Sequence, residues 1–364
     1  MDTAARIPRL RRALDQAGCP ALLVTSLSNI RYLTGFTGSA GMVLVTSSST
    51  LLTTDGRYRT QAAEQLGAQG VDAQVEIGPS TDQQQAVATA AARLGRADPV
   101  GLEAGSVTWA AQRAWASLLD GVELVPTAGL VEVLRRVKDA GEQDRIEAAA
   151  SIADAALGEV VDMIPAGRTE SEVALALDTA MRRLGAHSSA FETIVAGGPN
   201  GAKPHARPSS RPIGRGELVV IDFGATVDGY RSDMTRTLCW GEPAIPDGKR
   251  MFDVVTASQA AGVAEVRPGR RAVDIDAACR EVIAEAGWAD AFVHGTGHGV
   301  GLDIHEAPAV SATSTDTLDE ASVVTVEPGV YLPGEGGVRI EDTVVVTAEG
   351  CRAVTGYPKD LILA

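Results

Sequence analysis

One stretch limits the fold of this chain more than any other: Leu218 to Leu238, LVVIDFGATVDGYRSDMTRTL. Two alternating runs flank Asp228-Gly229, a dipeptide suited to the two left-handed positions of a tight hairpin turn. Taken as that turn, it makes residue 224 face residue 233, and Asp222 points to the same face as 224. Asp222 and Asp233 then become diagonal cross-strand neighbours, within reach of one cation. Val219, Val220, Ile221 and Phe223 read as an enclosed strand, where two like charges need a counter-ion. A metal supplies it.

A second strand pair repeats the pattern. Val323-Val-Thr-Val ends in Glu327, and Pro333 to Gly337 is rich in turn residues. Glu341 then follows on the strand after Val338 and Arg339. An antiparallel hairpin brings Glu327 and Glu341 together on one face, with Arg339 on the face of Glu341 by period two. Asp342 should point away and be structural. Between the two hairpins lie His294, His298 and His305, three of the chain's five histidines, set among four glycines. Clustered imidazoles are metal-ligating or proton-transfer groups, and the glycines let backbone approach a ligand closely. No Gly-Lys-Ser/Thr follows, so this is not a phosphate loop.

Four carboxylates and one imidazole make an oxygen-dominated ligand set that suits Mn²⁺ better than a thiolate zinc site does. With bridging carboxylates, five ligands can serve two ions about 3.5–4 Å apart, and a hydroxide between them can attack a carbonyl. The chemistry that fits is hydrolysis of an amide.

With 364 residues, the chain exceeds what one core usually serves. We expect an α/β (α+β) fold with an N-terminal mixed α/β domain over 1–130, a linker helix over 131–145, and a catalytic domain over 146–364. In the first, Ala21–Thr25, Met42–Thr46 and Thr50–Thr54 read as strands, with helical spacing near 59–68, 81–94 and 107–119. The last contains a faint duplication: Ile164-Pro-Ala-Gly-Arg and Val266-Arg-Pro-Gly-Arg each precede a helix, 170–184 and 274–286, that ends at a glycine. Two such halves facing each other would make a central cleft.

The net charge of −15 disfavours nucleic acid and anionic membrane surfaces as partners. No apolar run spans a membrane, and Met1 to Leu10 reads as no secretory signal. Four scattered cysteines without a CxxC pair fit small buried side chains in a reducing cytoplasm.

These residues, in this order, resemble the pita-bread metallopeptidases, the family of methionine aminopeptidase, aminopeptidase P and prolidase. The likeness rests on IDFGATVDGYRSDMTRT (221–237), HGTGHGVGLDIHEAP (294–308), VTVEPGVYL (324–332), GGVRIEDTVVV (336–346) and FETIVAGGPNGAKPH (191–205). It implies a catalytic pita-bread fold of two pseudo-symmetric halves. Asp222 would bind one ion in bidentate fashion, Asp233 and Glu341 would bridge both, and His298 and Glu327 would complete the second. Glu327 would also shuttle a proton, His205 would sit near the departing residue, and His305 would steady the tetrahedral intermediate.

His294 and Arg339 point to the Xaa-Pro branch, prolidase and aminopeptidase P. SNIRYLTGFTGSAG (28–41) and TDGRY (54–58) are similar to the N-terminal domain shared by that branch and creatinase. The creatinase branch has lost the metal carboxylates, all of which are present here. The implied function is a two-metal peptidase acting on short proline-containing peptides, as Xaa-Pro dipeptidase or Xaa-Pro aminopeptidase. Mn²⁺ is the first choice of metal, with Co²⁺, Fe²⁺ or Zn²⁺ open, and a homodimer through the N-terminal domain is implied. The alternatives are an aminopeptidase of methionine type and a non-catalytic binding protein on the same fold. His187 matches nothing in the family, and Tyr230 reads as packing against the first ligand hairpin.

Overall fold

Short apolar strands alternating with alanine-rich helices close into one sheet over the first third of the chain. The computed structural model describes residues 1–95, 98–165 and 167–363, and divides into two units, Met1–Arg135 and Arg136–Ala364. In the first unit the strands Ala21–Val24, Met42–Thr46 and Thr50–Thr54 form the middle of a six-stranded sheet. They pair antiparallel, while Gln74–Ile77 on one side and Val100–Glu103 and Leu124–Thr127 on the other add in parallel. Helices Arg59–Gln69, Ser80–Ala91 and Trp109–Leu118 follow the alanine-rich stretches. Ala21, Leu23, Leu44, Val87, Val100 and Trp115 share one core.

The stretch expected to be a single linker helix is two helices, Glu132–Arg136 and Ala140–Val160. The second starts afresh on a reciprocal cap: the Asp139 carboxylate accepts from Glu142 N at 2.9 Å, and Glu142 accepts from Asp139 N at 2.9 Å. That satisfies donors a continuous helix would have consumed internally.

The second unit is built as two similar halves. Helices Ala140–Val160 and Glu170–Arg183 share a core with strands Ile194–Gly197, Leu218–Phe223 and Met234–Trp240. Helices Gly248–Glu265 and Ala272–Glu285 share another with strands that include Val323–Val326 and Asp342–Thr347. The duplication in sequence is visible in hydrogen bonding: Arg168 O accepts from Ile213 N at 3.0 Å, and its counterpart Arg270 O accepts from Leu318 N at 2.9 Å. Ala166, within the first Pro–Gly element, lies outside the described residues.

The first hairpin has the expected register. Thr226 faces Arg231, Val227 faces Tyr230, and Phe223 faces Met234, leaving Asp228-Gly229 as the turn. Their φ angles of 45° and 78° are the left-handed pair this turn requires. In the other half, Gly329 faces Arg339 and Val326 faces Asp342, one continuous register that sets Glu327 against Glu341. Among the described residues, no helix is long and apolar enough to cross a membrane. All four thiols are free, three of them buried and Cys351 half-buried.

Candidate metal centre

Each acid near the site sits at or beside the end of a strand, where the side chain can leave the sheet. Asp222 lies in Leu218–Phe223, Asp233 just before Met234–Trp240, and Glu327 just after Val323–Val326. Glu341 falls between Gly336–Arg339 and Asp342–Thr347. His298 is at the centre of the short strand Gly297–Gly299, whose backbone runs so close to its neighbour that a Cβ on Gly297 would lie 2.0 Å from Thr325 O. Only glycine fits there.

A cleft of about 510 Å³ gathers these residues and the others singled out from the sequence. Asp222, Asp233, His298, Glu327, Glu341, His205, His294, His305 and Arg339 all line it. Ligand atoms of Asp233, His298 and Glu341 lie within 4.8 Å of one another, a group able to hold a metal ion. His298 Nε2 is 3.1 Å from Glu327 and 3.6 Å from Asp233. Its Nδ1 donates to Gly299 O at 3.1 Å, which fixes the ring and turns Nε2 toward the acids. His305 stacks edge-on to His298, with ring centroids 4.3 Å apart.

The electrostatics call for cations. Burial pushes the Asp233 and Glu341 carboxyls well above the usual range, and neighbouring acids push them further. Asp222 is raised too, by burial working against the Arg339 guanidinium. Burial also opposes the charge on Glu327, but the His298 hydrogen bond and charge outweigh it and hold that carboxyl at about 2. Asp222 Oδ1 and Glu341 Oε1 are buried and accept no hydrogen bond from the described residues. Buried acceptors without donors, on acids that burial disfavours as anions, are what a divalent cation satisfies. The donor set fits the metal.

Arg339 ties several groups of the site together. It donates to Asp222 Oδ2 at 2.6 Å, Tyr331 Oη at 2.8 Å, Thr235 Oγ1 at 3.1 Å and Pro204 O at 3.2 Å. His294 donates from Nδ1 to Gly295 O at 2.7 Å, so its Nε2 accepts the Tyr331 hydroxyl at 2.8 Å. Burial lowers the His294 pKa and pushes the Tyr331 phenol up to about 12, consistent with a neutral pair.

Tyr331 escaped the sequence reading, as did two threonines. Thr235 Oγ1 donates to Glu341 at 2.7 Å, and Thr325 Oγ1 donates to Glu327 at 2.9 Å. Each lies two residues from an acid on a buried strand, a polar period-two signal that could have marked them. Asp342 turns away from the cleft and accepts from Arg236 at 2.9 Å and Gln259 at 3.0 Å. Tyr230 is buried and donates to Glu142 at 2.8 Å. His187 is tied through its backbone to Thr226 O at 2.8 Å. Neither lines the cleft.

Two family models cover nearly all of the chain. The model for metallopeptidase family M24 matches residues 144–348, and that for the creatinase/prolidase N-terminal domain matches residues 6–137. The chain belongs to metallopeptidase family M24. Other family members align along almost the whole length. The peptidase YqhT of Bacillus subtilis is 40% identical over 98% of this chain and 99% of its own. The structure of an Xaa-Pro dipeptidase from Bacillus anthracis superposes with a TM-score of 0.94 at 40% identity, covering 99% of this chain and 100% of that one. An X-Pro aminopeptidase from Thermotoga maritima gives a TM-score of 0.87 at 34% identity, covering 97% and 100%. This M24 member therefore pairs a creatinase-like N-terminal domain with a pita-bread metallopeptidase domain.

Proposed function

We propose that this enzyme hydrolyses Xaa-Pro peptide bonds with two divalent ions held by Asp222, Asp233, His298, Glu327 and Glu341. The observation that carries the reading is the single cleft in which these five meet His205, His294, His305 and Arg339. The similarity to an Xaa-Pro dipeptidase of Bacillus anthracis and an X-Pro aminopeptidase of Thermotoga maritima supports the substrate. Bound ions of this type supply Lewis acidity, which activates water and polarises the scissile carbonyl. Mn²⁺ suits the oxygen-rich donors, and Co²⁺, Fe²⁺ and Zn²⁺ are the competitors.

The protein's own groups do the rest. Glu327 takes a proton from the attacking water and delivers it to the proline nitrogen. That nitrogen carries no N–H in the peptide, so it leaves as a secondary amine only once protonated. His305 donates to the carbonyl oxygen as charge builds there. His205 lies beside the departing proline. Arg339 holds Asp222 in place while Thr235 and Thr325 orient Glu341 and Glu327. The N-terminal domain, residues 1–130, serves dimerisation and substrate access, and the enzyme works in the cytoplasm as a homodimer.

The test is kcat/KM on Ala-Pro, Ala-Pro-Ala and Met-Ala-Ser after reconstitution with each metal in turn. The proline-containing peptides are expected to be cleaved far faster. Equal rates on Met-Ala-Ser would overturn the proline reading in favour of a methionine-type aminopeptidase.

A further inference from the structure

The cleft is lined by acids at its centre, yet any peptide that ends in proline brings a carboxylate of its own. A dipeptide Xaa-Pro presents that carboxylate close to the scissile bond, and a longer peptide presents a neutral amide there. Two arginines line the cleft, Arg339 and Arg207. Arg339 is buried and committed to Asp222, Tyr331, Thr235 and the Pro204 carbonyl. Arg207 is different. Its side chain is 83% exposed, and among the described residues its one charged partner is Glu192, which meets Nε at 3.3 Å and is itself 66% exposed.

The base of Arg207 is fixed although its tip is not. Three residues before it, the Pro204 carbonyl accepts from Arg339 at 3.2 Å. Two residues after it, Ser209 donates to the buried Glu170 carboxylate, from N at 3.0 Å and from Oγ at 2.6 Å. Pro204, His205, Ala206 and Arg207 consequently form one continuous wall of the cleft. Exposed pairs such as Arg207–Glu192 are worth little, so a substrate carboxylate can displace Glu192 at small cost. The Arg207 guanidinium, whose nearest contact to Glu192 is through Nε at 3.3 Å, has a planar fork to offer a carboxylate in bidentate geometry.

Building on the Xaa-Pro reading above, we propose that Arg207 recognises the free carboxylate of the substrate's terminal proline, with Glu192 as its resting partner, and so favours dipeptides. The experiment compares Ala-Pro with its carboxamide, Ala-Pro-NH₂, in wild type, Arg207→Gln, Arg207→Lys and Glu192→Gln holoenzymes, with inhibition by L-proline and by L-prolinamide measured alongside. Losing a charge-assisted contact should lower the Ala-Pro to Ala-Pro-NH₂ ratio of kcat/KM by about tenfold in Arg207→Gln, mostly through KM. Proline inhibition should weaken relative to prolinamide, Arg207→Lys should recover part of the ratio, and Glu192→Gln should raise it. A ratio unchanged in Arg207→Gln, or an equal loss on both peptides, would overturn the assignment. Comparable cleavage of Met-Ala-Ser by wild type would instead overturn the proline specificity, leaving the carboxylate ratio to judge Arg207 separately.

Discussion

Asp233 and Glu341 are acids placed where burial and neighbouring carboxylates oppose their charge. Such residues are retained for a ligand rather than for stability. Replacing a group that merely supports a metal ligand costs about 10–100-fold in affinity or activity, so Asp233→Ala or His298→Ala should cost at least about 100-fold in kcat/KM. Metal titration by calorimetry should show the lost site in a protein with unchanged circular dichroism. Full activity in either variant would remove the metal mechanism. Tyr331 makes a subtler case. Tyr331→Phe keeps the ring but takes from Arg339 an acceptor at 2.8 Å, and from His294 its donor. A lost hydrogen bond to a charged group costs roughly 1.5–3 kcal/mol, and the expected fall in kcat/KM is about 10–100-fold. Parent-like kinetics would reduce Tyr331 to packing. The acids and histidines were legible because their types are out of place in apolar or glycine-rich sequence. Thr235 was harder to read: its period-two spacing from Asp233 marks the shared face, but its partner Glu341 lies 106 residues away.

At the level of elements, the two acid-bearing hairpins were readable because turn residues, Asp228-Gly229 in one and the Pro333–Gly337 stretch in the other, combine with period-two alternation to fix a register. The break in the linking helix was harder to read. Its sequence is helix-prone throughout, and the stop is made by tertiary bonds: Lys138 N donates to Ala321 O at 2.9 Å, and Val137 bridges to Ser322. The Lys138 ammonium then reaches Glu306, 2.7 Å away, with side chains 1% and 7% exposed. Glu306 follows His305 directly and opens the strand Glu306–Val310, so this buried pair anchors the segment that carries a cleft histidine. Removing one member of a buried pair strands the other's charge, and Lys138→Met should destabilise the protein by about 3–5 kcal/mol. Urea unfolding measures it. Adding Glu306→Leu to Lys138→Met should restore much of the loss, because a well-packed apolar pair replaces the ions. A single variant as stable as the parent would show that the pair contributes nothing.

Across the whole molecule, the five proposed ligands are drawn from both halves of the second unit: Asp222 and Asp233 from one, His298, Glu327 and Glu341 from the other. A cation bound among them ties the two halves together and makes no demand on the sheet of Met1–Arg135. Binding to the folded state alone stabilises by about 2.7 kcal/mol when free metal is 100 times Kd. If the five residues are the ligands, that stabilisation belongs to the strands that carry them. Hydrogen exchange with and without Mn²⁺ should slow in Leu218–Phe223, Met234–Trp240, Val323–Val326 and Asp342–Thr347, while the sheet around Ala21–Val24 and Met42–Thr46 exchanges as before. Chelation should reverse the effect. Protection confined to one half would mean that the metal engages only that half's acids. Equal protection in both units would place the stabilisation somewhere other than this cleft. The resemblance in sequence could name candidate ligands, but which strands metal should stiffen follows only from their register, since each acid sits where a buried strand ends.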